Sequence, residues 1–178
     1  MRDLTQVLHC EDLRDVILVG HSYAGMVISG VAEEAAARIR RLIYFDALIP
    51  TDGQSIFSLW GRDFEASFRA VAQRQGDGWL IPPMAPEALG VSNPEDVTWM
   101  RERLVPMPLA THADPVRMPS NRTGELPRSY IFCTQFGIAA EAEQARAEGW
   151  DYHELPTGHD AMVSAPHDFV RVLVACAK

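Results

Sequence analysis

The stretch Val16-Ile-Leu-Val-Gly-His-Ser-Tyr-Ala-Gly25 constrains this chain more than any other. A short apolar run ends in small residues with a serine at the tip. Helical spacing follows at once, with Val27, Ile28, Val31 and Ala35 on one face and Glu34 and Arg38 as an i, i+4 pair. A strand that turns this sharply into a helix lifts a serine hydroxyl clear of its own backbone at the end of a sheet. The serine is Ser22, so the turn arrives early in the chain.

The pattern on either side supports an α/β fold with a mostly parallel sheet of about four strands flanked by helices. Leu4, Val7 and Leu8 share a face of a short helix over 3–12, and Val16–Val19 and Leu42–Phe45 read as buried parallel strands. The pattern resumes at Ser129–Cys133, with a helix over 139–148 that Gly149 would close. A short strand over 150–155 follows, then a last helix from Pro166 through Phe169, Val170, Leu173 and Val174. The intervening segment differs in composition: nine of the twelve prolines lie in 51–127. Short helices fit 63–74 and 94–104, and no strand alternation stands out. This divides the chain into a core, 1–50 with 127–178, and an inserted helical cap, 51–126. Trp60, Trp79 and Trp99 argue against a disordered loop, since such loops are poor in large aromatics.

A length of 178 residues fits one domain. A net charge of −8 disfavours nucleic acid or an anionic membrane as a partner. Cys10, Cys133 and Cys176 are widely spaced and odd in number, which disfavours a disulfide framework or a zinc site. No apolar signal region follows the first residues, and no run approaches the roughly 18 apolar residues of a membrane span. A cytoplasmic protein is expected.

Three residue types are needed to activate a serine, and each has a candidate. Ser22 needs an adjacent base, because a free hydroxyl is a weak nucleophile near neutral pH. His159 lies in a loop between the last strand and the last helix, which a parallel sheet places at the same edge as Ser22. His21 is expected to pack beneath the turn. Asp46 ends the strand after the turn helix; neighbouring strand ends lie about 5 Å apart, so its carboxylate could orient the imidazole. It could equally cap the turn into Leu48-Ile-Pro50. Asp160 is adjacent to His159 and badly directed, and Asp151 starts its strand at the far end. The backbone N–H of Tyr23 is the candidate oxyanion donor. Trp60, Trp79 and Trp99 could line an apolar substrate pocket or serve the packing alone.

Taken together, Gly20-His-Ser-Tyr-Ala-Gly25, Tyr44-Phe-Asp-Ala-Leu-Ile-Pro50, Tyr130-Ile-Phe-Cys-Thr134 and Gly158-His-Asp-Ala-Met-Val-Ser-Ala-Pro166 resemble an α/β-hydrolase branch. That branch holds plant methylesterases, hydroxynitrile lyases and bacterial esterase-like relatives. The resemblance implies a partial α/β-hydrolase fold and a serine hydrolase of small carboxylic esters needing no metal or cofactor, with Ser22 as nucleophile and His159 as base. Many relatives place the acid after the strand ending Cys-Thr, where this chain has Phe136 within Cys133–Gly137. Others carry it after the preceding strand, which corresponds to Asp46. The usual glycine after the serine stands one place later, at Gly25 behind Ala24.

Relatives also carry several strands before the serine turn, with a His-Gly loop that gives a second oxyanion donor. An N-terminally truncated fold is therefore expected, with activity weakened by about 10²–10³-fold for one lost donor. The strand over 16–19 would then be a sheet edge, and an apolar edge invites pairing with a second copy, hence a homo-oligomer. Two alternatives stand beside the esterase: an impaired relic that binds a small molecule, and a carbon–carbon lyase. The family's lyases use a lysine beside the histidine, where this chain has Asp160.

Overall fold

A computed structural model describes residues 1–136 and 138–178; Gly137 lies outside the described residues. Helix α1 (Arg2–Cys10) leads into strand β1 (Val16–His21), helix α2 (Ala24–Ala35) and strand β2 (Ile39–Phe45). The inserted segment follows, with helices α3 (Ile56–Trp60) and α4 (Arg62–Gln75), strand β3 (Leu80–Ile81), helix α5 (Pro94–Arg101), strand β4 (Met107–Pro108) and helix α6 (Ala110–Ala113). Strand β5 (Arg128–Cys133), helix α7 (Ala139–Ala147), strand β6 (Asp151–Leu155) and helices α8 (Ala161–Ser164) and α9 (Pro166–Cys176) complete the chain.

The main sheet has the order β1-β2-β5-β6 with every pairing parallel. Its side chains alternate between two cores, as a strand covered on both faces requires. Leu42, Tyr44 and Tyr130 pack with Leu8, Ile28, Val31, Ala142 and Ala145 of α1, α2 and α7. Ile43, Phe45, Ile131 and Cys133 pack with Ala161, Phe169, Leu173 and Cys176 of α8 and α9. The register brings the carboxyl ends of the strands level: His21 pairs with Phe45, Phe45 with Ile131, and Cys133 with Leu155.

Local chemistry sets the boundaries. Gly149 adopts a left-handed φ of 72° just after α7, and Trp150 N–H reaches back to Ala145 O at 3.0 Å, closing a Schellman end. Pro166 opens α9. The apolar stripes differ in part from the spacing read above. Val7 is half-exposed while Leu4 and Leu8 face the core, and α9 turns Phe169, Val172, Leu173 and Cys176 inward, leaving Val170 and Val174 outside. Strand β2 begins at Ile39, ahead of Leu42, because Arg40 and Arg41 are tied down: Arg40 donates to Ala177 O and Arg41 to Ser129 Oγ.

The inserted segment is mostly helical, but β3 and β4 form a two-residue antiparallel pair that its composition does not signal. Its two ends are zipped together where Gly53 N–H donates to Val116 O and Met118 N–H to Asp52 Oδ1. Two apolar clusters anchor it. Ile56, Val116 and Met118 meet Met26 and Leu48, and Val91, Val97 and Met100 meet Val163. The cysteines are free, Cys10 exposed and Cys133 and Cys176 buried, with burial pushing the latter two thiols up to about 12 and about 11. No helix among the described residues is long and apolar enough to cross a membrane.

Candidate active site

The turn after β1 is strained where the chemistry is expected. Ser22 has a φ of 55°, in the left-handed region that side chains with a Cβ disfavour. The backbone holds it there: Ser22 N–H donates to Phe45 O at 3.2 Å, and Ser22 O accepts from Gly25 at 3.1 Å and Leu48 at 3.2 Å. The neighbouring glycines are steric requirements. A Cβ at Gly25 would lie 2.1 Å from Leu48 O, and one at Gly20 would lie 2.7 Å from Ala24 O. The glycine at 25 therefore has its own close approach, and the methyl of Ala24 is accommodated. Non-glycine residues held this way cluster at functional turns, though Asp12, Asp15, Asp77 and Asn121 share the left-handed φ in ordinary turns of this chain.

One strand over, the backbone repeats the device. Asp46 follows β2 with a φ of 40°, and its N–H donates to Ile131 O at 2.7 Å. The carboxylate is fully buried: Oδ1 accepts from Cys133 N–H at 3.2 Å, and Oδ2 lies 2.5 Å from His159 Nδ1. Its fixed position is reinforced by Tyr130, whose hydroxyl donates to Ala47 O and accepts from Ala47 N–H. Asp46 is thus both the turn residue and the partner of the imidazole.

His159 is 4% exposed and lies between two rings. Phe136 stacks on it with centroids 4.2 Å apart at 22°. The His21 ring lies 4.3 Å from that of His159, tilted by 40°, while also stacking on Phe45 at 4.8 Å. His21 Nε2 lies 3.1 Å from His159 O, so it packs beside the histidine loop, with Asp160 Oδ1 3.8 Å away. Among the described residues no hydrogen bond joins Ser22 Oγ to the His159 ring; such bonds commonly tighten only when substrate is bound.

The histidine loop touches the inserted segment backbone to backbone. A Cβ at Gly158 would stand 2.5 Å from Gly90 Cα and 2.7 Å from Leu89 O, and Asp160 N–H donates to Leu89 O. Gly158→Ala is therefore expected to cost about 1–3 kcal/mol of stability as an overpacking change. A denaturant titration checks this, and an unchanged midpoint would mean the two loops part freely.

The three tryptophans are not brought together. Trp60 packs edge-on against Phe64 and lines a depression of about 300 Å³ with Ile49, Ile138 and Glu141. Trp99, under the guanidinium of Arg103, borders another beside Met162 and Val163. Trp79 lies in the turn before β3, and all three are about half exposed. The aromatic cluster joined to the serine turn is one that sequence reasoning missed. His112 is buried and stacks near Tyr23, Phe57, Phe64 and Phe68. Phe64 and Phe68 stand at i, i+4 on α4, which was a readable signal.

Among the described residues, two side-chain groups have the spacing to meet a metal. His21, His159 and Asp160 lie at the site, but His21 Nε2 and His159 Nδ1 are each engaged in a hydrogen bond. Asp151, His153 and Cys176 gather at the opposite end of the sheet, where Asp151 already accepts from Ser129 and pairs with His153 and Arg41.

The chain as a whole also matches known proteins. A family model described as the alpha/beta hydrolase family matches residues 1–172. The chain belongs to that family. This hydrolase is 34% identical over 188 residues to a carbendazim hydrolyzing esterase of Nocardioides sp. (strain SG-4G), covering 98% of this chain and 76% of that protein. It is 28% identical over 129 residues to a putative chloroplastic methylesterase 14 of Arabidopsis thaliana, covering 65% of this chain and 37% of the relative. In fold, the hydrolase is similar to an extracellular alpha/beta-hydrolase from a Paenibacillus species, described as sharing structural and functional homology with tobacco salicylic acid binding protein 2. The TM-score is 0.84 at 21% identity, over 98% of this chain and 77% of that one.

Burial, with His159 as the next cause, pushes His21 from its ordinary value near 6.5 down to about 3. The unfolded chain therefore binds a proton between these values that the folded chain refuses, so folding stability falls as pH drops through that window. Thermal midpoints between pH 7 and pH 4 test this. The acid slope should be shallower in His21→Gln, and equal slopes would contradict the shift.

Proposed function

We propose that this chain is a serine hydrolase of small carboxylic esters acting through an acyl-enzyme. The observation that carries the proposal is the buried Asp46–His159 contact at the same sheet end as the strained Ser22 turn. In this reading His159 accepts the Ser22 proton as the hydroxyl attacks the acyl carbon, then returns it to the leaving alkoxide. Asp46 fixes the Nδ1–H tautomer and stabilises the imidazolium. The N–H of Tyr23, the residue that caps α2, is the oxyanion donor in this reading, since first-turn N–H groups have no intrahelical acceptor. Water then repeats the attack and frees the acid.

Residues 51–126 act in this reading as a cap, and the rings around His112 next to Tyr23 form its substrate-facing side. The name of the Nocardioides relative makes carbendazim a substrate to assay beside p-nitrophenyl acetate. A fluorophosphonate probe tests the nucleophile directly. Labelling of folded protein at Ser22, identified by peptide mass, is the expected result, and folded protein left unlabelled would overturn the proposal.

A further inference from the structure

We propose that His21 is a positioning residue for His159, its ring N–H holding the main-chain carbonyl of the histidine loop while its face walls one side of the imidazole. This rests on the reading of His159 as the base. A carbonyl oxygen can only accept, so His21 Nε2, 3.1 Å from His159 O, must carry the proton. That assigns the tautomer. The ring cannot turn away freely, because it stacks on Phe45, whose position β2 and Phe169 fix.

Among the described residues, few groups face the imidazole. Asp46 meets its Nδ1 from the end of β2, Phe136 covers one face, and His21 approaches from β1. Cys133 Sγ, from β5, lies 4.0 Å from the same His159 carbonyl, and Asp160 lies 3.8 Å from His21 Nε2. Among the described residues one hydrogen bond holds the imidazole itself, the one to Asp46. A ring on one hydrogen bond can still rock in its plane and slide along the contact. The clamp at the loop carbonyl and the ring wall remove that freedom. A neutral His21 does this without setting a second positive charge 4.3 Å from the cation that forms during turnover. Burial keeps it neutral across the working range.

Separable substitutions test the two parts. His21→Phe keeps a ring and loses the donor. His21→Gln keeps a donor of similar reach and loses the ring. His21→Asn lacks the reach and serves as a second donor-free variant should the phenylalanine variant not fold. Two readouts are taken: kcat and KM separately on p-nitrophenyl acetate over pH 5–9, and the downfield proton resonance of His159 Nδ1–H, observed without substrate. The donor-free variants are expected to lose kcat by about 10²-fold, the scale of a small misplacement at a reacting group, with KM nearly unchanged. Their downfield resonance should broaden or vanish, and His21→Gln should recover most of both. Donor-free variants that fold with wild-type kcat and an unaltered resonance would overturn the proposal, as would a glutamine variant no better than phenylalanine. Wild-type protein without turnover or probe labelling would instead refute the serine hydrolase reading, and the resonance would still judge the positioning.

Discussion

Ser22→Ala is expected to lower kcat on p-nitrophenyl acetate by about 10⁴–10⁶-fold and to abolish fluorophosphonate labelling, the scale seen when a serine nucleophile is removed. The substitution deletes one oxygen and keeps the backbone demand of a residue at φ 55°. The variant should therefore fold as the wild type does, and the loss can be read as chemistry. A folded alanine variant with more than a few per cent of wild-type turnover would mean that another group attacks. Ser22→Gly separates strain from chemistry. It should be equally inactive yet more stable by about 1–2 kcal/mol, because glycine takes a left-handed conformation without the clash of a Cβ. A higher thermal midpoint for glycine than for alanine checks this. Equal midpoints would show that the turn stores no strain.

Asp46→Asn carries the second large effect, a fall in kcat of about 10⁴-fold with the fold retained. Asparagine is among the residues that best tolerate a left-handed backbone, so the φ of 40° is preserved. Its amide can still accept from Cys133 N–H through its oxygen. The amide nitrogen then faces His159 Nδ1 and donates to it, which places the imidazole proton on the wrong nitrogen. Near-native thermal unfolding with native-like kcat would reduce Asp46 to the turn cap that its sequence context equally allowed. The turn position and the imidazole contact coexist in the structure because the turn that carries Asp46 also aims its buried carboxylate between Cys133 and His159.

The sheet was legible because its signals are local. Apolar runs bounded by small residues gave the strands, and glycine and proline gave the helix ends at Gly149 and Pro166. Parallel pairing then puts Ser22, Asp46 and the His159 loop at one edge. What escaped the sequence depends on contacts across long separations. Phe136 could be read as the absence of an acid but not as a ring laid on His159, since that contact arises only when β5 and the histidine loop are packed. His21 could be placed near the turn, while its bond to His159 O spans 138 residues. The tryptophans drew notice by size, yet the aromatic cluster beside Tyr23 is built from phenylalanines around His112. The β3–β4 pair is too short for periodicity to register, with two residues in each strand.

The cysteines have a practical outcome. Maleimide chemistry needs an accessible thiolate, and Cys133 and Cys176 offer neither accessibility nor ready ionisation. Cys10 ends α1, ahead of the amino end of β1, with the length of that strand between it and Ser22. The native chain thus carries a single handle for a fluorophore or a surface tether, placed away from the Ser22 turn.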